Sequence, residues 1–323
     1  MTQEEALTIL KTGTNVFLTG EPGSGKTHTV NLYIKYLREH GVNVAVTAST
    51  GIAATHLNGV TIHSWSGIGI KKELSERDLF TLCNNDRLVN KVRKTSVLII
   101  DEISMIDAGL LSCVDQSIKA LREDGRPFGG LQVVFVGDFF QLPPVPEENK
   151  DIQFAFESPS WNSLNPTVCY LSEQYRQDDE HFTSILKSIR NGIEISQIYQ
   201  TLSERLVDVD IEKAVTRLYS HNVDVNTIND KKLSALPGEE HIFQMTSIGK
   251  KALVERIKKS CLSPEILVLK KGAKVIFTKN NFEEGFVNGT LGEVIGFSED
   301  DIPIILTKQN RKIEADPMEW SIE

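Results

Sequence analysis

The stretch that most constrains the fold is GEPGSGKT at residues 20–27. An apolar, strand-like run at residues 15–19 precedes it, and an amphipathic, helix-like run at residues 27–39 follows it. Glycines between a strand and a helix let backbone N–H groups wrap phosphates, and the helix N-terminus adds a favourable dipole. The full pattern G-x-x-x-x-G-K-[ST] in this setting predicts a strand–loop–helix unit of an α/β sheet that binds a phosphorylated ligand.

This predicted phosphate loop contains the groups that a nucleoside triphosphate requires. We expect Lys26 to bridge the β- and γ-phosphates and the Thr27 hydroxyl to ligate Mg²⁺. A chance glycine-rich turn is the alternative, and the flanking strand and helix argue against it. The candidate nucleotide-binding residues of this segment are Gly20, Pro22, Gly23, Ser24, Gly25, Lys26, Thr27 and His28.

A second part of the site is predicted from LIIDE at residues 98–102. Asp101 ends a continuous apolar strand, so its carboxylate can reach the Mg²⁺ shell, and Glu102 can polarise an attacking water. An Asp-Glu pair after a strand is a weak signal by itself. It becomes a strong one about 75 residues beyond a complete phosphate loop, at the end of a parallel strand.

A third part is predicted from VFVGDFFQLPP at residues 134–144. The β-branched run indicates a buried strand, Gly137-Asp138 ends it, and two prolines keep the next residues out of regular structure. The Gln141 amide can accept from a water and donate to a phosphate oxygen, so we predict that it senses the γ-phosphate. A solvent-exposed loop glutamine is the alternative.

A candidate arginine finger follows in LSEQYRQ at residues 171–177. Arg176 comes after a strand that we expect to open a second structural unit, so it could project across a cleft onto the transferred phosphoryl group. The alternative is a surface arginine paired with Glu173 or Asp178. The candidate catalytic residues are therefore Lys26, Glu102, Gln141 and Arg176.

Two hydroxyl-rich stretches suit a polymeric ligand. TASTGIAA at residues 47–54 leaves a strand and enters a helix, and TIHSWSG at residues 61–67 is expected to be a loop. Hydroxyls and free N–H groups can bind nucleic-acid phosphates, and an exposed aromatic can stack on a base. Helix-capping hydroxyls, a packed tryptophan and a structural histidine are the alternative. The candidate DNA-binding residues are Ser49, Thr50, Gly51, His63, Ser64 and Trp65.

The composition limits the partners of the chain. The net charge of -9 over 323 residues argues against general adhesion to nucleic acid, but it does not exclude a local basic groove. Residues 250–280 contain nine lysines and arginines, which form either such a groove or a solvated face. Four scattered cysteines predict reduced thiols, and no transmembrane or signal segment is expected.

The order of predicted elements suggests three parts. Residues 1–166 alternate strand and helix after a short leading helix, which is typical of a parallel α/β domain. A strand at residues 168–171 is expected to open a second unit over residues 167–265. Residues 266–323 change to short strands separated by Gly, Asn and Asp turns, which indicates a small β-sheet or barrel.

Together these motifs resemble the PIF-type (petite integration frequency) DNA helicases of the RecD-like branch of superfamily one. The matching segments are residues 20–27, 47–55, 61–68, 98–107, 134–145, 171–177 and 269–294. The resemblance implies an α/β fold with a RecA-like P-loop NTPase domain, the start of a second RecA-like domain and a small SH3-like β insert. It also implies that Gln3 reads the adenine of ATP.

By the same resemblance, ATP and Mg²⁺ are the cofactors, and 5′-to-3′ translocation along single-stranded DNA is the activity. Duplex, forked and G-quadruplex DNA are the expected substrates, with roles in DNA repair, recombination and telomere maintenance. A soluble monomer is expected, cytoplasmic in bacteria or viruses and nuclear or mitochondrial in eukaryotes.

The family's histidine-lysine-serine-glutamine type motif and its later arginine motif are not found in the sequence, so we expect a C-terminally truncated form. An ATP-dependent single-stranded-DNA-binding switch that does not unwind is the main alternative. A small-molecule P-loop kinase is a weaker one, because GDFFQLPP is foreign to such kinases.

Overall fold

The computed structural model describes residues 1–69, 71, 73–145, 151–173, 180–193, 195–206, 217–219, 222–249, 251–261, 263–279, 281 and 284–320. The chain divides into two compact units, Met1–Val207 and Asp208–Glu323. In the described part of the chain, no helix is both long enough and apolar enough to cross a membrane.

The first unit is built on a six-stranded parallel sheet with the order β3-β2-β4-β5-β1-β6. Its strands are β1 (Val16–Gly20), β2 (Val44–Ala48), β3 (Val60–Thr61), β4 (Val97–Asp101), β5 (Gln132–Val136) and β6 (Thr167–Leu171). The central strands are buried on both faces, which explains why their sequences are continuous apolar runs. The predicted parallel α/β fold is confirmed.

The helices of the first unit follow the strands as the periodicity predicts, with several short additions. They are α1 (Gln3–Lys11), α2 (Lys26–Glu39), α3 (Gly51–His56), α4 (Ile62–Ser66), α5 (Glu76–Cys83), α6 (Asp86–Lys94), α7 (Ala108–Arg122), α8 (Pro159–Leu164), α9 (Glu180–Asn191) and α10 (Ile195–Ser203). Three 3₁₀ turns occur at Ile103–Met105, Pro127–Gly130 and Ala155–Glu157. The predicted loop at residues 61–67 is wrong, since α4 occupies most of it and Thr61 caps its N-terminus.

Two buried clusters cover the two faces of the sheet. One face packs against α1 and α2 through residues such as Leu10, Tyr33 and Leu37. The other packs against α7 and the segments around it, with Leu111 and Phe128 fully buried. Burial on both faces fixes the strand ends in space, and those ends carry the candidate site.

The predicted boundary at residues 166/167 is wrong. The strand that was expected to open a second unit is β6, which pairs in parallel with β1 at the edge of the first sheet. Its inward residues Cys169 and Leu171 are buried in the first core, and Met1 N donates to the Tyr170 carbonyl at 2.8 Å. An apolar strand gives no sign of which sheet it joins, because that depends on pairing partners distant in sequence.

The second unit contains two helices and two antiparallel sheets in its described residues. The elements are α11 (Asn222–Ala235), β7 (His241–Gln244), α12 (Lys251–Ser260), β8 (Ile266–Leu269), β9 (Lys274–Ile276), β10 (Leu291–Phe297), β11 (Pro303–Thr307) and β12 (Lys312–Glu314). Strands β7 and β8 pair with each other, and the other four follow the order β12-β11-β10-β9. The predicted small β-sheet after residue 266 is confirmed.

A small core holds the second unit together. It includes Leu269, Phe277, Phe286, Val294 and Ile305, which lie 9% exposed or less. The second RecA-like domain stays a prediction, and the strand that is expected to open it belongs instead to the first sheet.

Candidate functional site

The strand order brings three predicted motifs to one edge of the sheet. Strand β1 pairs with β5, and β5 pairs with β4, so the carboxyl ends of these strands are neighbours. Gly20 ends β1, Asp101 ends β4, and Gly137 follows β5. The carboxyl edge of a parallel sheet is the usual ligand site of an open α/β fold.

The phosphate loop has the backbone that its glycines predict. Gly25 is the N-cap of α2 with φ of 87°, a left-handed conformation that favours glycine. A Cβ at Gly25 would lie 2.0 Å from Gln3 Nε2, and one at Gly20 would lie 2.6 Å from the Leu171 carbonyl oxygen. A side chain at Gly20 would therefore collide with the Leu171 backbone, whereas at Gly25 the left-handed backbone and the contact with Gln3 both favour glycine.

The remaining residues of the loop differ in exposure. Thr27 and His28 are exposed on the first turn of α2, and Pro22 is exposed in the loop. Ser24 is 1% exposed, and its Oγ has no hydrogen-bond partner among the described residues. An orphaned buried hydroxyl in a phosphate loop fits an oxygen-rich ligand, which would supply the missing partner.

Lys26 is held by the loop itself. Its Nζ donates hydrogen bonds to the carbonyl oxygens of Gly20 at 2.7 Å and Glu21 at 3.1 Å. Burial lowers the pKa of Lys26, and the nearby carboxylates of Asp138 and Glu102 oppose that shift. The ammonium is therefore partly desolvated and close to the other two motifs, as a phosphate ligand must be.

Gln3 lies against the phosphate loop at the start of α1. Its Nε2 donates to the Ser24 carbonyl at 3.2 Å, while Thr2 caps the helix in a capping box with Glu5. The predicted adenine-reading glutamine therefore contacts the expected nucleotide-binding loop. Its role in reading the base stays a prediction.

Asp101 and Glu102 leave β4 in a constrained conformation. Asp101 is 9% exposed, and burial raises its pKa to about 6 despite a hydrogen bond from Glu102 N–H at 2.9 Å. Glu102 has φ of 52° and ψ of 47°, a left-handed conformation that is costly for a residue with a Cβ. Non-glycine residues held in this region cluster at functional sites.

The donor atoms near the sheet edge fit Mg²⁺ in type. A carboxylate on Asp101 and a hydroxyl on Thr27 are hard oxygen ligands, and Mg²⁺ takes few protein ligands beside water and phosphate. No group of three or more His, Cys, Asp or Glu residues that could hold a metal occurs in the described ranges.

The loop after β5 is organised by Asp138, which is 1% exposed. Asp138 Oδ2 accepts from Arg190 Nη1 at 2.8 Å and from Gln141 Nε2 at 3.4 Å, and Oδ1 accepts from Phe140 N at 3.2 Å. Burial would raise the pKa of Asp138, but the hydrogen bonds from Arg190 and Phe140 hold it below its ordinary value. Gln141 itself is exposed, and the Asp138 carboxylate that it contacts lies close enough to act on Lys26.

The described part of the site contains an arginine that the sequence analysis does not single out, Arg190. Arg176 lies outside the described residues, so its role stays a prediction. Arg190, near the end of α9, pairs with Asp138, and this contact raises its pKa further. Sequence reasoning missed Arg190 because its partner is 52 residues away and no local pattern marks it.

The first candidate DNA-binding segment lies at the same sheet edge. Strand β2 pairs with β4, and Ser49 N donates to the Asp101 carbonyl at 3.2 Å. Ser49 Oγ is buried without a described partner, while Thr50 Oγ1 accepts from Ala53 N and so caps α3. Gly51 is exposed. The structure therefore brings this segment next to the predicted metal ligand.

The second candidate DNA-binding segment is largely structural. Trp65 is 4% exposed within the core beside α7, so the predicted base-stacking surface is wrong for this residue. The apolar spacing Ile62, Trp65, Ile68 places the ring on the buried face of the helix. Ser64 is exposed, and burial lowers the pKa of the half-buried His63.

Three of the nine basic residues predicted as a group at residues 250–280 form ion pairs within the second unit. Lys258 pairs with Glu265 at 2.7 Å, Lys270 with Glu240 at 3.2 Å, and Lys274 with Glu293. These ion pairs neutralise part of the positive charge, and the basic groove and the solvated face both stay predictions.

The chain matches two protein-family models. Residues 3–199 match the family described as PIF1-like helicase. Residues 252–297 match the domain described as DNA helicase Pif1, 2B domain. The first match spans the parallel sheet and all three motifs of the nucleotide site, and the second includes α12 and most of the β-rich part.

One relative agrees with these matches. The chain is 53% identical over 310 residues to the ATP-dependent DNA helicase Pif1 of Psychrobacter sp. (strain PRwf-1), covering 92% of this chain and 47% of the relative. The chain thus spans about half the length of that relative.

Solved structures agree as well. The crystal structure of Pif1 helicase from Candida albicans has a TM-score of 0.80 at 32% identity, covering 99% of this chain and 79% of that one. Pif1 helicase from Bacteroides in complex with ADP-AlF3 and ssDNA has a TM-score of 0.62 at 29% identity, covering 96% and 72%. The chain belongs to the PIF1-like helicase family.

Proposed function

We propose that this chain is the motor portion of an ATP-dependent DNA helicase, in which single-stranded DNA stimulates ATP hydrolysis. The observation that carries the proposal is the convergence of three strand ends on one sheet edge. They bring together Lys26, the pair Asp101-Glu102, and the loop of Asp138 and Gln141. Each is a group that phosphoryl transfer to water requires.

The phosphate loop would hold the nucleotide through its backbone N–H groups and Lys26. The lysine already points at the loop carbonyls, and it would exchange them for phosphate oxygens. Thr27 and Asp101 would hold Mg²⁺, which neutralises charge on the phosphates when bound. Gln3 contacts the same loop and would lie beside the base.

Glu102 and Gln141 would act on the water and the γ-phosphate. The Glu102 carboxylate, directly after the proposed metal ligand Asp101, would accept the water's proton. The Gln141 amide would donate to the γ-phosphate or orient the water, and Arg176 would stabilise charge in the transition state.

DNA would bind at the neighbouring strand end. Ser49, Thr50 and Gly51 offer hydroxyl and backbone groups one strand away from Asp101, and the Ser49 N–H contacts the Asp101 carbonyl. Ser64 and His63 would add backbone contacts. The Bacteroides Pif1 helicase solved in complex with ADP-AlF3 and ssDNA supports single-stranded DNA as the ligand. The direct hydrogen bond offers a short route from DNA to the metal ligand.

The finer parts of the proposal follow from the family. They are 5′-to-3′ translocation, unwinding of duplex, forked and G-quadruplex DNA, and action as a monomer. A nucleotide-dependent switch that binds single-stranded DNA without unwinding it is the alternative outcome. A strand-displacement assay separates the two, since the switch would hydrolyse ATP yet release no strand.

The test is steady-state ATP hydrolysis with Mg²⁺, with and without a single-stranded oligonucleotide. We expect DNA to stimulate turnover, and Lys26→Ala to lower it by at least about 100-fold because the phosphate charge loses its cation. Arg176→Ala should have a similar effect. Lys35→Ala is the matched control, because Lys35 is an exposed lysine on the same helix. Equal turnover with and without DNA would refute the motor.

A further inference from the structure

One ion pair at the site has no assigned role. Arg190 Nη1 lies 2.8 Å from Asp138 Oδ2, with the two side chains only 14% and 1% exposed. A buried carboxylate needs a partner, and Arg190 provides a charged one. The pair joins the C-terminal end of α9 to the loop that carries Gln141.

Arg190 makes a second contact on the same loop. Its guanidinium carbon lies 4.3 Å from the centre of the Phe140 ring, so the group stacks on Phe140 while donating to Asp138. A planar guanidinium can stack on the ring while its N–H groups donate in the same plane, and a lysine ammonium reproduces only part of this geometry. Phe139, the neighbouring residue, packs in the core against Phe17 and Trp161. The loop is therefore fixed from two sides.

The shared oxygen connects this pair to Gln141. Asp138 Oδ2 accepts from Arg190 at 2.8 Å and from Gln141 Nε2 at only 3.4 Å, near the limit of a hydrogen bond. That oxygen has lone pairs for both donors, and the shorter, charge-assisted bond from Arg190 competes with the weaker bond from the amide. The Gln141 backbone is thus anchored, since its N–H donates to the Asp138 carbonyl at 2.9 Å. Its side-chain amide is only loosely held.

We propose that Arg190 is a positioning residue that keeps the Gln141 amide available for the γ-phosphate. Arg190 donates to Asp138 Oδ2 and stacks on Phe140, which holds the loop in place. The side-chain amide of Gln141 can then exchange its weak bond to Asp138 for one to a phosphate oxygen. Without Arg190, Asp138 would capture the amide of Gln141, and the protein would lose part of its ability to distinguish ATP from ADP. This inference rests on the proposed nucleotide site.

The test is equilibrium binding of a fluorescent ADP and of a fluorescent non-hydrolysable ATP analogue. We expect the wild type to prefer the ATP analogue. Arg190→Gln should reduce that preference by about tenfold, the value of one hydrogen bond to a charged group, with ADP affinity unchanged within about twofold. Arg190→Lys should retain part of the preference. Arg87→Gln, at an exposed arginine on α6, is the matched control.

A double-mutant cycle separates positioning from general stability. Gln141→Ala should lose the ATP preference by itself, and adding Arg190→Gln should then change it no further, because both act through the same amide. If Arg190→Gln unfolds the protein, Arg190→Lys takes its place in the cycle. A full ATP preference in the Arg190 variants, or an additive loss in the double variant, would overturn the inference.

The two proposals fail in different ways. A wild-type protein that binds neither nucleotide, or whose hydrolysis ignores DNA, contradicts the proposed function. A wild-type protein that prefers the ATP analogue, together with an unchanged Arg190→Gln variant, contradicts only the role of Arg190.

Discussion

Two groups of motif residues lie in the same parallel sheet domain, and their side chains have different kinds of partner. At the ends of β1, β4 and β5, Ser24 Oγ has no described partner, and burial shifts the pKa values of Lys26 and Asp101 away from their usual ranges. Around α4, by contrast, the Thr61 hydroxyl caps a helix and Trp65 fills the core. The first group lowers the stability of the folded domain, whereas the second group raises it.

The difference shows how to weigh a motif. A buried carboxylate and a left-handed glutamate cost free energy that the fold itself does not need, so they indicate a ligand. A packed tryptophan and a capping threonine are explained by the fold alone. Motif strength in the sequence is therefore a poor guide to function where a residue type also has a common structural role.

Trp65 gives the strongest test of the structural role assigned to the group around α4. Trp65→Ala removes a buried ring from the core beside α7, so the free energy of unfolding should fall by about 3 to 5 kcal/mol. Denaturant unfolding measures this loss. Phe80→Ala is the control, since Phe80 is 70% exposed and should change stability by less than about 1 kcal/mol. A stable Trp65→Ala variant with weakened single-stranded DNA binding would restore the stacking hypothesis.

Asp101 tests whether the residues at the strand ends lower the stability of the fold. Its pKa is about 6 in the folded chain against 3.8 for the free side chain, so the folded state binds more protons between these values. Stability should therefore fall as pH rises from about 4 to about 6, and the penalty at pH 7 without metal is about 2 to 3 kcal/mol. Asp101→Asn should remove this penalty and abolish Mg²⁺-dependent hydrolysis.

Unfolding measured across this pH range checks the Asp101 prediction. Asp300→Asn, at an exposed turn of the second unit, serves as the control and should leave the pH profile unchanged. A pH profile of Asp101→Asn identical to that of the wild type would show that the carboxylate is not desolvated at the sheet edge.

The smallest expected effect concerns the backbone of Glu102. Glu102→Gly should be about 1 kcal/mol more stable than Glu102→Ala, because only glycine accepts φ of 52° without strain. Glu123 has φ of 55° at the end of α7 and is the matched control. The same Gly-against-Ala difference is expected there, but only the Glu102 variants should lose hydrolysis. Equal stability of the Gly and Ala variants at residue 102 would argue against strain.

The predictable part of the fold came from strong local patterns. Asp101 was predicted to end an apolar strand, and the strand Val97–Asp101 does end there, because a β-branched apolar run stops at a charged residue. The helix Glu180–Asn191 ends at Asn191-Gly192, a pair that is typical of a helix C-terminus. The short α4 was missed because its hydroxyls fit a loop as well as a capped helix.

By itself, the sequence determined the phosphate loop, the Asp-Glu pair and the loop glutamine, because each depends on residue types at fixed short spacing. Only the tertiary structure decided that β6 completes the first sheet, that Trp65 is buried, and that Arg190 pairs with Asp138. Those outcomes depend on which distant segments pack together. Such pairing is set by the burial and electrostatics of the whole domain, and no short stretch of sequence records it.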